Sequence, residues 1–155
     1  MQHLQPLAAL VAQIERQRDL ALADQAKAQA TSDAAKAQAE QLVPYRREYE
    51  QRWCAQFTRA GHIELVRCYQ GFMERLDQAV EQQARIAAHA EAALARTQAT
   101  VREHEVQLAG VKKLLERRVA EGRSSAQRHE QKQSDELAAR VAWNRRAAGG
   151  RADLA

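Results

Sequence analysis

Apolar and small residues recur along this chain at alternating steps of three and four. Leu4, Leu7, Val11, Ile14, Arg18, Ala21, Gln25, Ala28, Ser32, Ala35, Ala39 and Leu42 form one such series. Arg46, Tyr49 and Trp53 continue its phase. A second series starts at Val66 and repeats every seven residues through Met73, Val80, Ala87, Leu94, Val101, Leu108 and Leu115. Its companions three residues later are Tyr69, Leu76, Gln83, Ala90, Thr97, His104, Val111 and Arg118. Sustained heptads of this kind are the seam of a coiled-coil helix, because the a and d positions of a helix share one face.

The pattern predicts two helices, residues 3–57 and 63–143, joined by a turn at residues 58–62. Pro44 falls inside the first. A proline there removes one backbone hydrogen bond and crowds the preceding turn, at a cost of ~3 kcal/mol. The heptad phase runs on beyond it, so the expectation is one helix kinked near residues 40–44 rather than two helices. Gly61, in the run FTRAGH, is expected to end the first helix by taking a positive φ. Folding the chain there pairs positions whose numbers sum to roughly 120. Leu4 and Leu7 then face Leu114 and Leu115, the Ala-rich stretches meet each other, and Tyr49 and Trp53 meet Val66, Tyr69 and Phe72. The predicted fold is all-α: a long antiparallel two-helix coiled-coil hairpin, a single domain over residues 1–148, with the second helix overhanging the first. Residues 149–155 are expected to be a flexible tail. The second helix would be roughly 120 Å long.

Composition agrees with long helices rather than a globular core. The hydrophobic fraction is 45%, but Ala supplies nearly half of it, aromatics are 5% and charged residues 28%. An α/β or all-β fold is excluded because no run alternates apolar and polar residues with β-branched enrichment. Charge sharpens the picture of the overhang. Residues 112–155 hold 11 Lys/Arg against 6 Asp/Glu, a net +5, while residues 1–111 hold 13 against 14, a net −1. A basic helix can meet nucleic acid, acidic lipid or an acidic protein groove, or be a solvated charged face. The start MQHLQPLAAL lacks the features of a signal peptide, and no stretch reaches the ~20 apolar residues that span a bilayer. The expected setting is therefore cytoplasmic, with Cys54 and Cys68 as two reduced, unpaired thiols on opposite helices near the turn, where they could come close.

Catalytic constellations are absent from the sequence. No phosphate-binding glycine loop, HExxH or nucleophile elbow occurs. His3, His62, His89, His104 and His129 are too scattered for ligands on one helical face. No catalytic residue, metal ligand or cofactor is expected, and the chain is read as a non-enzyme. What stands out lies beside the seam. Phe72, Leu76, Ala79 and Gln83 form a second stripe on the second helix, and Gln38, Leu42, Tyr45 and Tyr49 one on the first. Two helices facing only each other need a narrow stripe. Wider stripes imply a covering element, an exposed docking patch, or aromatics packed around the turn.

At these residues the chain resembles the flagellar export protein FliJ family. LVPYRREYE, with Leu42, Tyr45, Glu48 and Tyr49, is similar to one family stretch. YQGFMERLDQAVEQQ, with Tyr69, Gln70, Phe72, Leu76, Ala79, Glu81 and Gln82, is similar to a second. QKQSDELAAR, with Gln131, Lys132, Asp135 and Glu136, is similar to a third. The resemblance covers about residues 35–140. It implies a stalk-like antiparallel coiled coil in the flagellar type III export apparatus, peripheral to the cytoplasmic face of the inner membrane. The partners it implies are the export ATPase ring, the membrane export gate and export chaperones. It implies that Gln38, Leu42, Tyr45, Tyr49, Phe72, Leu76, Ala79 and Gln83 face the gate. Gln83 stands where a histidine is sometimes found, and Pro44 is outside the family pattern. The free ends correspond to the part entering the ATPase ring, with Leu4, Leu7, Val11, Lys112, Lys113, Arg117 and Arg118 as contacts. The stalk of a virulence secretion system is the alternative with the same architecture. A basic coiled-coil nucleic-acid binder is the alternative of another class. It is disfavoured because the positive excess is diluted by acids, so no nucleic-acid partner is expected.

Overall fold

The computed structural model describes residues 2–59 and 61–152. After a 3₁₀ turn at Gln2–Leu4, helix α1 runs Gln5–Arg59 and helix α2 runs Ile63–Ala152. No strand occurs among the described residues. The two helices pack against each other as an antiparallel hairpin. α1 is continuous through Pro44, as the unbroken heptad phase predicts.

The chain divides into two compact units, Ile14–Val106 and a second made of Met1–Gln13 with Gln107–Ala155. The 14–106 unit holds the turn. Thr58 Oγ donates to the carbonyls of Cys54 at 2.8 Å and Ala55 at 3.1 Å, which occupies carbonyls in the last turn of α1. Arg59 in that last turn and Glu64 in the first turn of α2 complement the helix dipoles. The Val66 amide donates to the His62 carbonyl at 3.2 Å, so His62 begins the hydrogen-bond ladder of α2. Gly61 does not take a positive φ, nor does any other described residue, which corrects the expected glycine cap. Ala60 lies outside the described residues.

The core of this unit is the predicted seam. Ile14, Ala21, Ser32 and Ala35 on α1, and Met73, Leu76, Ala90, Leu94 and Val101 on α2, are buried. Arg18, Gln25, Ala28, Ala39, Leu42, Arg46, Tyr49 and Trp53 are half-buried. Ser32 alone reaches 0% exposure. It sits in the alanine-rich part of the seam, where side chains are too short to hold the helix backbones apart. Its hydroxyl and His104 Nδ1 are buried without a hydrogen-bond partner.

In the other unit Leu108 is buried and Leu4, Leu7, Val11, Val111, Leu115 and Val119 are half-buried. From Ala120 to Ala152 every residue of α2 is exposed. The helix passes its predicted end at 143 and includes residues 149–152 of the expected flexible tail. Alanines and arginines dominate residues 138–148, and both are strong helix formers. The last three tail residues lie outside the described ones.

At the limits of the seam the facing position slips by one. Leu65 rather than Val66 is half-buried at the start of α2, Val119 rather than Arg118 farther along it, and Phe57 closes α1. An α-helix drifts ~20° per heptad against a strict seven-residue repeat. Several heptads therefore move the facing residue by one position, earlier toward the N-terminus and later toward the C-terminus.

Candidate functional site

The aromatic residues beside the turn form two groups between the helices, Tyr45–Tyr49–Phe72 and Trp53–Phe57–Tyr69. Tyr45 and Tyr49 have ring centroids 5.1 Å apart, and Tyr49 stacks on Phe72 at 4.7 Å. Trp53 meets Tyr69 at 5.7 Å, and Phe57 meets Tyr69 edge-on at 5.2 Å. Spacings of 4.5–7 Å are those of favourable aromatic pairs, each adding ~0.5–1.5 kcal/mol beyond burial. Partial burial first, then the negative charge of Glu50, pushes the Tyr69 hydroxyl above its usual pKa. Burial likewise raises Tyr45, with the neighbouring Tyr49 next in importance. Both phenols stay neutral at physiological pH.

The two flanks of this hairpin differ. Between residues 21 and 100 the ion pairs joining α1 to α2 are Lys36–Glu91, at 3.4 Å, and Arg46–Asp77, and both lie on one flank. Arg46 also reaches Glu50 at 3.5 Å. The hydrogen bond to Asp77, then its charge, raises the Arg46 pKa further. On the opposite flank the helices are joined by the Tyr49–Phe72 stack and by an amide. Gln83 Nε2 donates to Ala35 O at 3.3 Å and to Gln38 Oε1 at 3.1 Å. Beside that amide lies a groove of about 450 Å³ lined by Gln38, Gln41, Leu42, Tyr45 and Gln83.

All eight residues of the sequence-derived patch belong to this open flank or to the seam next to it, but they are not equally available. Leu76 is 7% exposed and is core. Leu42, Tyr49, Phe72 and Gln83 are half-buried. Gln38, Tyr45 and Ala79 are exposed. Leu76 and Tyr49 therefore hold the helices together, while Tyr45 and Ala79, with the edge of Phe72, meet solvent. The other candidate group divides as well. Leu4, Leu7 and Val11 are half-buried in the seam of their unit, whereas Lys112, Lys113, Arg117 and Arg118 are exposed.

Cys54 and Cys68 are free, exposed thiols. Cys54 follows Glu50 by one helical turn and so lies on the ion-paired flank. Cys68 precedes Phe72 by one turn and lies on the open flank. Among the described residues no group of three or more His, Cys, Asp or Glu is placed to hold a metal ion, and no helix is long and apolar enough to cross a membrane.

Sequence reasoning missed one apolar member of the open flank. Ile86, 47% exposed, follows Ala79 by seven residues, as Ala79 follows Phe72. Extending the Phe72–Ala79 spacing by one heptad would have found it.

The family described as flagellar FliJ protein has a model that matches residues 2–147. Neither the curated proteins nor the solved structures contain a significant match.

Proposed function

The chain belongs to the FliJ family of flagellar proteins, and from that premise we propose that it is a non-enzymatic stalk and adaptor of flagellar protein export. In this reading it links the export ATPase ring to the cytoplasmic domain of the membrane export gate, at the cytoplasmic face of the inner membrane, and binds export chaperones. The open flank of the 14–106 unit is the gate-facing surface. Tyr45, Ala79 and the exposed edge of Phe72 make contact, and Leu42, Tyr49, Leu76 and Gln83 hold them in place. The observation that carries the reading is the chemistry of that flank. A hairpin whose seam is already buried still leaves tyrosine, phenylalanine and isoleucine side chains beside a groove. Large apolar side chains grouped at a surface favour partner binding.

The ATPase contact belongs to the other unit. Lys112, Lys113, Arg117 and Arg118 offer exposed positive charge to acidic or polar loops, while Leu4, Leu7 and Val11 fix the helices that carry them. The test is a binding assay of the purified chain against the export ATPase and, separately, the gate's cytoplasmic domain. Both should bind. Arg117→Glu with Arg118→Glu should weaken ATPase binding and stimulation without weakening gate binding. Absence of gate binding by the parent chain would refute the adaptor role. Unchanged ATPase stimulation by the double variant would move that contact elsewhere.

A further inference from the structure

The seam of the 14–106 unit carries polar side chains at heptad spacing on both helices. Arg18, Gln25 and Ser32 stand seven residues apart on α1, and Thr97 and His104 do so on α2. Trp53 meets Tyr69, so facing seam positions have numbers that sum to 122. The Tyr49–Phe72 stack and the Gln38–Gln83 bond agree to within one. In this register Arg18 faces His104, Gln25 faces Thr97 and Ser32 faces Ala90. No hydrogen bond joins the members of these pairs. Arg18 gives Nε and Nη2 to Asp19, at 3.3 and 3.1 Å. Thr97 donates back to the Leu94 carbonyl of its own helix at 2.7 Å. Ser32 Oγ and His104 Nδ1 are left buried without a partner. Buried polar atoms are nearly always paired, because an orphan has given up its bonds to water for nothing in return.

A slide of one heptad would remove both defects. Moving one helix by seven residues keeps every seam residue on the seam, because each column repeats every seven. Toward a sum of 129, Ser32 comes opposite Thr97 and Gln25 opposite His104. Toward a sum of 115, no polar seam residue of α1 comes opposite His104, so the direction is chosen. We propose that the 14–106 unit has a second register, one heptad away at a sum of 129, in which Ser32 Oγ donates to Thr97 Oγ and Gln25 Nε2 donates to His104 Nδ1. Thr97 Oγ can accept while it donates to Leu94. The middle of the seam resists the slide little, since Ala28, Ala35 and Ala39 on α1, with Ala87 and Ala90 on α2, are knobs too small to fix register. The turn can follow. No described residue there is held at a positive φ. Its midpoint moves half a heptad into α2, where Ile63 and Val66 are exposed and lose little burial. The observed register is held by Trp53–Tyr69, Tyr49–Phe72 and the ion pairs of Lys36 and Arg46, all of which slide apart. The second register is therefore the less populated. At 1.5 Å per residue the slide is a step of about 10 Å, a discrete change that a two-helix stalk makes without unfolding. It depends on the seam alone and not on any docking partner.

The experiment traps each register with one disulfide in the full chain, after Cys54→Ser and Cys68→Ser remove the exposed native thiols. Ala35→Cys is combined in turn with Ala87→Cys, Leu94→Cys or Val80→Cys. These face it in the observed register, in the second register and after an equal slide the other way. A disulfide needs Cα atoms within about 7 Å and a heptad is about 10 Å long, so each bond reports one register. Bonding is read at equilibrium in a glutathione buffer, with the helix content of each variant followed by circular dichroism. The Ala87→Cys pair should bond most, and the Leu94→Cys pair at least tenfold more than the Val80→Cys pair. Adding Ser32→Ala with His104→Leu removes both unpaired groups. It should lower the Leu94→Cys bond at least fivefold and leave the Ala87→Cys bond unchanged. Where His104→Leu disturbs the helices, Ser32→Ala alone should lower the Leu94→Cys bond at least twofold. Equal bonding of the Leu94→Cys and Val80→Cys pairs would mean fraying or free sliding and would overturn the proposal. So would a Leu94→Cys bond that Ser32→Ala leaves unchanged.

Discussion

On one flank of the 14–106 unit Lys36 meets Glu91 and Arg46 meets Asp77; on the other the same two helices present Tyr45, Phe72, Ala79 and Ile86. Both flanks border the same buried seam, so neither is needed to supply the core. The ion-paired flank satisfies its own charges across the helices and offers a partner little that is unpaired. The open flank does the reverse. Its tyrosine and isoleucine are exposed, and no ion pair joins the two helices across it among the described residues between 21 and 100. In the proposed docking reading, a two-helix coil thus separates the work of alignment from the work of recognition by rotation about the helix axis. Charged side chains at flanking positions set register and orientation in coiled coils, while aromatic and arginine side chains are enriched among interface anchors.

The comparison breaks first if the seam, rather than either flank, is not what holds the hairpin. Leu76 is buried and packs beside Met73, so Leu76→Ala should cost about 2–4 kcal/mol of stability through lost burial and the cavity left behind. Chemical denaturation followed by circular dichroism would measure it, and a cost below about 1 kcal/mol would mean that the seam carries little of the stability. Phe72→Ala should fall between core and surface. Phe72 is half-buried and stacks on Tyr49 at 4.7 Å, so a loss of about 1–2 kcal/mol is expected from the aromatic pair and partial burial. Its stability cost and its effect on binding are therefore mixed, and a double change at Phe72 and Leu76 cannot separate docking from packing.

The ion-paired flank should give a smaller change. The Arg46 and Asp77 side chains are 37% and 49% exposed, so water and salt screen their attraction. Asp77→Asn should cost less than about 1 kcal/mol, and the loss should shrink further as salt is raised. A salt-insensitive cost of several kcal/mol would show that this pair, and not the apolar seam, fixes the register.

How much of this was legible in the sequence follows the physics of each feature. The seam was, because burial in a two-helix coil depends on the three/four spacing alone. Ser32 and Arg18 fall on it as faithfully as Ile14 does. The ends of the seam were less so: a strict heptad names Val66 and Arg118, while rotational drift of the helix brings in Leu65 and Val119. Gly61 was misread because a break between helices does not require a left-handed glycine. The end of α2 was set too early at 143, since the glycines at 149 and 150 suggested fraying where an Ala/Arg-rich helix persists. The patch was only half legible. Spacing places Leu76 and Tyr45 on neighbouring stripes, but only the rotation of one helix against the other decides that Leu76 is core and Tyr45 is surface. Ile86 follows once the Phe72–Ala79 spacing is carried on by one heptad.

Val43 and Tyr45 test the central claim with the least disturbance to the fold. They are two residues apart on α1 and are 50% and 44% exposed, with Val43 toward the ion-paired flank and Tyr45 on the open one. Truncating either to alanine should change stability by no more than about 0.5 kcal/mol, as surface substitutions usually do. The decisive measurement is the affinity of the gate's cytoplasmic domain for the two variants, by titration calorimetry at one salt concentration. Tyr45→Ala should weaken binding about tenfold or more, a loss of ~1.4 kcal/mol or above, and Val43→Ala should leave it unchanged. Equal effects of the two, or a larger loss at Val43, would contradict the assignment of the open flank as the docking face.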